Sequence, residues 1–156
     1  MSKRYIRVYV DSSVFGGVVD AEFARPSQMF FDTIRKRRIK PVISALVRRE
    51  LEAAPQPVID LVLEILPLAE VVPVSEESLS LRDAYLRARI VGPRWSTDAL
   101  HVAVATVSAC SVVVSWNFKH IVNYRKIPMY NAINRTEGYQ DLAIHSPWEV
   151  IGDETL

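Results

Sequence analysis

Three carboxylates and one amide stand where an acidic metal site would need them: Asp11, Glu50, Asp98 and Asn117. Asp11 ends the apolar run Tyr5-Ile6-Arg7-Val8-Tyr9-Val10, and Asn117 follows Val112-Val113-Val114 with Ser115 and Trp116 between. Glu50 and Asp98 lie near the starts of two helical patterns. All four therefore fall at element ends, where open α/β sheets place their ligands. Hard divalent cations want oxygen donors, and Mg²⁺ takes only a few carboxylates while keeping several waters. Groups this far apart in sequence meet only through a fold.

Each residue also has a plainer reading. A carboxylate just after a buried strand has few comfortable places, because burying an unpaired ion costs several kcal/mol, so Asp11 needs a metal, an arginine or several donors. Alternatively, Asp11-Ser12-Ser13 caps a short helix. Glu50 stands at i+4 from Leu46 and i+3 from Val47, which borders it on an apolar helix face; a salt bridge to Arg48 or another nearby arginine is the other possibility. Asp98 lies in the first turn of the most apolar helix, where the helix dipole alone would favour it by about 0.3–1 kcal/mol.

The elements that must position these groups are legible in outline. Residues 5–10 are β-branched and aromatic and read as a largely buried strand, with Arg7 its one charge. A helix over 26–38 follows, opened by Pro26 and ending in the basic run Arg35, Lys36, Arg37, Arg38 and Lys40. A short strand at 40–43 leads to Ser44, an N-cap for a helix through about Ala54, closed by Pro55. Further helices are expected over 56–66 and 76–90, the second capped by Ser75, with a strand at 69–74 between them. Ser96 or Thr97 caps a helix to about Ala109 whose interior is apolar nearly all round, which marks a central buried helix. A strand at 112–115 follows. The final third, with Asn131, Asn134 and Gly138, reads as looser; Ala143-Ile144 suggests a last strand and Pro147 a short terminal helix. Strands alternating with helices argue for a parallel sheet covered on both faces, in one domain over residues 1–156.

Composition narrows the class. The chain of 156 residues is 49% hydrophobic and 24% charged, with net charge +1, ordinary for a soluble globular protein and uninformative about nucleic acid. The single Cys110 excludes an intramolecular disulfide and fits a reducing cytoplasm. Met1-Ser2-Lys3-Arg4 does not read as the start of a signal peptide, and no apolar stretch is long enough to span a bilayer. His101, His120 and His145 lie in unlike contexts and form no zinc pattern. His101, at i+3 from Asp98, shares a helix face with it; a packed, hydrogen-bonded histidine is the reading favoured over a ligand or proton carrier.

Four short pieces, in order, resemble the signature of the PIN domains. They are Tyr9-Val10-Asp11-Ser12-Ser13-Val14, Ile43-Ser44-Ala45-Leu46-Val47-Arg48-Arg49-Glu50-Leu51, Ser96-Thr97-Asp98-Ala99-Leu100-His101-Val102-Ala103 and Val113-Val114-Ser115-Trp116-Asn117. They span nearly the whole chain, and its length is similar to that of the single-domain toxins of Vap-type toxin–antitoxin pairs. The resemblance implies a three-layer α/β/α sandwich with a central parallel sheet of four to five strands. It also implies a Mg²⁺- or Mn²⁺-dependent ribonuclease with Asp11, Glu50, Asp98 and Asn117 at the catalytic edge and Asp11, Glu50 and Asp98 as metal ligands. A cognate antitoxin and a homodimer are implied with it. In such chemistry one ion activates a water and a second steadies the leaving oxygen, about 3.5–4 Å away. The family has Asp where this chain has Asn117, so one charge is missing and a second cation should bind more weakly. Asn117 is expected to orient a water or one ion.

Other residues extend the expected site. Ser13 and Ser115 are placed to contact ligands or substrate phosphate, or to serve as turn hydroxyls. Arg87, Arg89 and Arg94 lead to Trp95 and Asp98, and cations beside an aromatic suit a single-stranded RNA backbone with a stacked base. Arg94, Trp95, Trp116 and Lys119 are the candidate RNA contacts, packing being the alternative for both tryptophans. Arg35 to Lys40 reads as a solvated helix end. Two rival functions remain at this stage. A haloacid-dehalogenase-type phosphatase would need a second Asp two residues after Asp11, where Ser13 stands. A non-catalytic RNA- or partner-binding module, silenced at Asn117, is the stronger rival.

Overall fold

The computed structural model describes residues 5–152. The Met1–Arg4 segment, read above as lacking signal-peptide character, lies outside the described residues. Five strands, β1 (Ile6–Val10), β2 (Ile39–Ser44), β3 (Glu70–Val72), β4 (Val112–Val114) and β5 (Ala143–His145), form one parallel sheet in the order β3-β2-β1-β4-β5. Parallel neighbours require crossovers, and these are supplied by helices α1 (Ser12–Gly17), α2 (Ala24–Arg35), α3 (Ala45–Glu50), α4 (Gln56–Ile65), α5 (Glu76–Arg87), α6 (Ser96–Val107) and α7 (Lys126–Thr136), with α8 (Pro147–Gly152) after the last strand. Helices cover both faces of the sheet, giving the three-layer α/β/α sandwich expected from the sequence.

The strand order creates the site. From β1 the chain winds outward through β2 to β3, then returns to the other side of β1 for β4 and β5. The order reverses between β1 and β4, and ligands in open α/β sheets bind outside the strand carboxyl ends at such a switch point. In register, Tyr9 lies between Val42 and Val113, and Val10 beside Val114. The carboxyl end of β1 is fully buried through Val8, Tyr9 and Val10, whereas Ile6 at its start is exposed. At that opposite end Arg7 forks onto Glu70 in β3, with Nε and Nη2 at 2.9 and 3.0 Å, while its Nη1 reaches the Ser108 and Ala109 carbonyls at 2.6 and 3.0 Å. The one charge in the strand thus ties the outer sheet to the end of α6, where a cation meets the negative end of the helix.

Helix α6 is buried along Ala99–Thr106, as its apolar sequence implies. Ser44 and Ser75 cap α3 and α5, accepting from the Val47 and Ser78 amides at 3.2 Å each. Neither Ser96 nor Thr97 caps α6: its N-cap is Trp95, with no side-chain cap bond. Helix α3 ends at Glu50 instead of about Ala54, and three others also end earlier than the sequence suggests, at Arg35, Arg87 and Val107 instead of 38, 90 and 109. Each of these three terminates on a left-handed residue that is not glycine: Arg37, Arg89 and Ala109, at φ 57°, 58° and 57°. The closing bonds from Arg38 to the Thr33 carbonyl and from Arg37 to that of Ile34 are those of a Schellman motif, and α5 and α6 close the same way. Left-handed residues other than glycine cost about 1–2 kcal/mol, so sequence carries no mark of them.

Helix α7 corrects the expectation of a loose final third. Asn131 and Asn134, which suggest turns by type, are buried in it. Asn131 donates to the Leu142 carbonyl at 3.0 Å and accepts from the Leu142 amide at 2.8 Å, holding the entry to β5. Asn134 accepts from the Tyr85 hydroxyl and donates to Thr106 Oγ1 at 3.3 Å, which joins α5, α6 and α7. Among the described residues no helix is long and apolar enough to cross a membrane. Replacing Asn131 by Ala strands the buried Leu142 amide and carbonyl, and should lower stability by about 2–4 kcal/mol. Urea unfolding measures this, and an unchanged midpoint would show that Asn131 does not anchor β5.

Candidate functional site

Asp11 follows β1 and is 4% exposed. Its backbone has the extended geometry of an N-cap to α1, but its side chain makes no cap bond. Instead Oδ2 accepts from the hydroxyls of Ser13 and Ser115, each at 2.7 Å. These two bonds offset part of the cost of burying the charge and fix the carboxylate's direction. Ser13 Oγ also accepts the Trp116 amide at 2.9 Å, and Ser115 Oγ the Asn117 amide at 2.9 Å, so the loops after β1 and β4 hold each other. Oδ1 has only longer contacts, to Ser12 Oγ at 3.4 Å and His101 Nε2 at 3.5 Å.

Glu50, the last residue of α3, pairs with no arginine among the described residues. Its Oε1 lies 2.6 Å from His101 Nε2 and accepts from Ser12 Oγ at 3.1 Å. The other ring nitrogen, Nδ1, is 2.7 Å from the Tyr9 hydroxyl, which is 2.8 Å from Ser44 Oγ. This chain runs from the end of β2, through the buried centre of β1, to α6 and out to α3. Burial raises the Tyr9 pKa well above its usual value, so the hydroxyl stays neutral and has a single proton to give. Burial opposes a charge on His101, yet Asp11, Glu50 and Asp98 outweigh it and raise its pKa. The fold thus brings Asp11, Glu50 and His101 together: one ligand atom from each lies within 4.8 Å of the others.

Asp98 is half-buried at the start of α6, outside that tight set but coupled to it. Burial lifts its pKa, Asp11 adds to the rise, and the Asn117 side chain and His120 pull it back. Asn117 has one structural duty already: Oδ1 accepts the His120 amide at 3.0 Å, capping the turn after β4, while the side chain also favours the charged form of Asp98. The oxygen keeps a second lone pair, so the expectation that Asn117 orients a water or one ion stays open. For Trp116 the structure favours packing, the alternative to an RNA contact. It is 6% exposed, stacks on Phe23 with ring centroids 4.2 Å apart and donates to Ser27 at 2.9 Å, so it packs the core and has no free face for a base. A Cβ on Gly17 would run into this same Trp116–Ser27 pair, which explains a glycine inside α1. By contrast Trp95 is half-exposed, with Arg94 Cζ 5.2 Å and Lys119 Nζ 5.0 Å from its ring centre.

His101, Ser12, Tyr9 and Ser44 were not among the site residues drawn from sequence. The i+3 spacing from Asp98 was the available signal for His101; Tyr9 looked like one more apolar strand residue. The donor set fits a divalent cation. Two carboxylates supply charge, Asp11 Oδ1 is the less committed oxygen, and an imidazole nitrogen beside carboxylates suits Mn²⁺ better than Mg²⁺. For His101 to act as a ligand, Nε2 must be unprotonated and Nδ1–H must donate to Tyr9, the usual outer support of a ligating histidine.

No family model and no curated protein matches this sequence. Solved structures match in fold. FitAcB from Neisseria gonorrhoeae superposes with a TM-score of 0.58 at 16% identity, over 90% of this chain and 98% of that one. VapBC2 from Rickettsia felis, bound to a DNA fragment from their promoter, gives 0.57 at 12%, over 90% and 98%. Mycobacterium tuberculosis VapC20, a sarcin–ricin-loop-cleaving toxin, gives 0.50 at 12%, over 86% and 98%. The chain shares the PIN-like fold of these toxin–antitoxin structures.

Asn117→Asp keeps the cap on His120 but turns a second oxygen toward Asp98, setting two carboxylates against each other. The variant should melt below wild type in EDTA and gain more from Mg²⁺ or Mn²⁺ than wild type gains. Thermal unfolding with and without the cation checks this; equal gains would show that position 117 lies outside the cation's reach.

Proposed function

We propose that this protein is a divalent-cation-dependent endoribonuclease of the PIN family, the toxin of a type II toxin–antitoxin pair. The observation that carries the proposal is the convergence of Asp11, Glu50 and His101, with Asp98 alongside, at the switch point of a PIN-like sheet. A phosphodiester is an anion, and three acids repel it unless a cation stands between. Asp11, Glu50 and Asp98 would hold Mg²⁺ or Mn²⁺, with His101 either ligating or fixing Glu50. A bound cation supplies Lewis acidity toward the phosphate and the attacking water. Ser13 and Ser115 aim Asp11, while Tyr9 and Ser44 set the orientation of His101. Arg94, Trp95 and Lys119 form the RNA-facing wall.

The partners follow from the same reading. Solved complexes such as VapBC2 support a cognate antitoxin, and a homodimer is proposed with it. We assign the chain as one domain acting in the cytoplasm, which the single, buried Cys110 suits. A second reading, an attenuated RNA- or partner-binding module, is favoured by one observation: the Asn117 oxygen is engaged by the His120 amide.

Cleavage of a labelled RNA pool separates the two. Cutting is expected with Mn²⁺ or Mg²⁺ and not in EDTA, and Asp11→Asn should slow it by more than about 100-fold, beyond the usual loss for an outer-shell change. Binding without cutting at any cation concentration would favour the attenuated module. Metal-independent cutting, or full activity in Asp11→Asn, would sink the nuclease mechanism.

A further inference from the structure

His120 is 7% exposed, and neither of its ring nitrogens has a hydrogen-bond partner; no other buried side-chain atom among the described residues is left in this way. Its backbone is held on both sides, the amide by Asn117 at 3.0 Å and the carbonyl by the Tyr130 hydroxyl at 2.8 Å. The ring is therefore placed firmly, with its donor and acceptor unused. If packing were its whole purpose, a phenylalanine would do the same without stranding polar atoms. The side chains around it are of the kinds that take up nucleotides. Trp95 lies against the imidazole with ring centroids 4.5 Å apart, and Arg94 and Lys119 gather at that indole. Neither cation forms an ion pair among the described residues; each is held there by the ring alone. Asp98 of the acidic site is close enough for its charge to be felt by His120.

We propose that His120, Trp95, Lys119 and Arg94 form a nucleotide subsite beside the acidic centre: a base of single-stranded RNA stacks on Trp95, the cations take the adjoining phosphate, and the imidazole N–H of His120 donates to an oxygen of that phosphate. The inference rests on the ribonuclease reading and deepens it by assigning the residue that recognises the substrate backbone. Cation–π contacts at an exposed ring are weak, so a phosphate can draw Lys119 and Arg94 away while the base replaces them on the indole. The subsite requires the edge of the buried imidazole to open to the phosphate as this rearrangement occurs. Stacking on an aromatic and contact with a phosphate is how single strands are held with little sequence preference.

The test reads binding apart from cutting. Anisotropy of a short fluorescein-labelled single-stranded RNA is followed with Ca²⁺ in place of Mg²⁺ or Mn²⁺, so that a cation screens the acids while cutting is slowed, for wild type, His120→Phe and His120→Gln. Losing a hydrogen bond to a charged phosphate should weaken binding about tenfold or more in His120→Phe, while thermal stability holds or rises because the stranded nitrogens are gone. His120→Gln keeps an N–H donor and should retain most of the affinity. In ¹⁵N-histidine spectra of wild type, the His120 ring signals should move when the RNA is added, which a purely packing residue would not show. Wild-type affinity in His120→Phe together with unmoved ring signals would overturn the subsite while leaving metal-dependent cleavage by wild type intact. Absence of both RNA binding and cleavage in wild type would overturn the ribonuclease reading and this inference together.

Discussion

The charge on Asp11 is the constraint from which the rest of this structure follows. It sits at the buried end of the central strand, in the crevice where the strand order reverses. A lone carboxylate there would be costly. The chain meets that cost with two serine hydroxyls, one from the turn after β1 and one from the turn after β4, both on the same oxygen. The less committed oxygen faces the groups brought by α3 and α6. Stability and site geometry thus depend on the same contacts, for the serines that anchor the charge also receive the Trp116 and Asn117 backbone amides of the loop after β4.

A second chain of contacts sets the far side of the crevice. Ser44 caps α3, whose last residue is Glu50, and also touches Tyr9. Tyr9 meets His101, and His101 returns to Glu50. The loop is closed: the residue that starts α3 and the residue that ends it are tied to the same imidazole. Side chains locked by packing and outer hydrogen bonds are what hold reactive groups to a usable geometry. Asn117 has a related part, since it caps the turn that carries His120 and its side chain favours the charged form of Asp98. An amide here accommodates Asp98 without the repulsion that a fourth carboxylate would add.

Much of this was legible in the chain itself. Alternating strands and helices, the caps at Ser44 and Ser75 and the wholly apolar α6 follow from residue type and spacing. Asp11, Glu50 and Asp98 could be placed at element ends for the same reason. What sequence did not carry was of two physical kinds. Helix ends formed by left-handed Arg37, Arg89 and Ala109 lack the glycine that normally marks them. Polar residues in helices, Asn131 and Asn134 above all, were read as turn formers because their partners lie on other elements. The same blindness to partners hid Tyr9 and the identity of the groups that His101 meets, and left Trp116 open between packing and base contact until Phe23 and Ser27 are seen to enclose it.

Anomalous scattering from crystals grown with Mn²⁺ tests the central claim most directly. The account requires manganese density among Asp11, Glu50 and His101 or toward Asp98, lost in Asp11→Asn crystals. Crystals of the wild-type protein with saturating Mn²⁺ and no density in that crevice would contradict it.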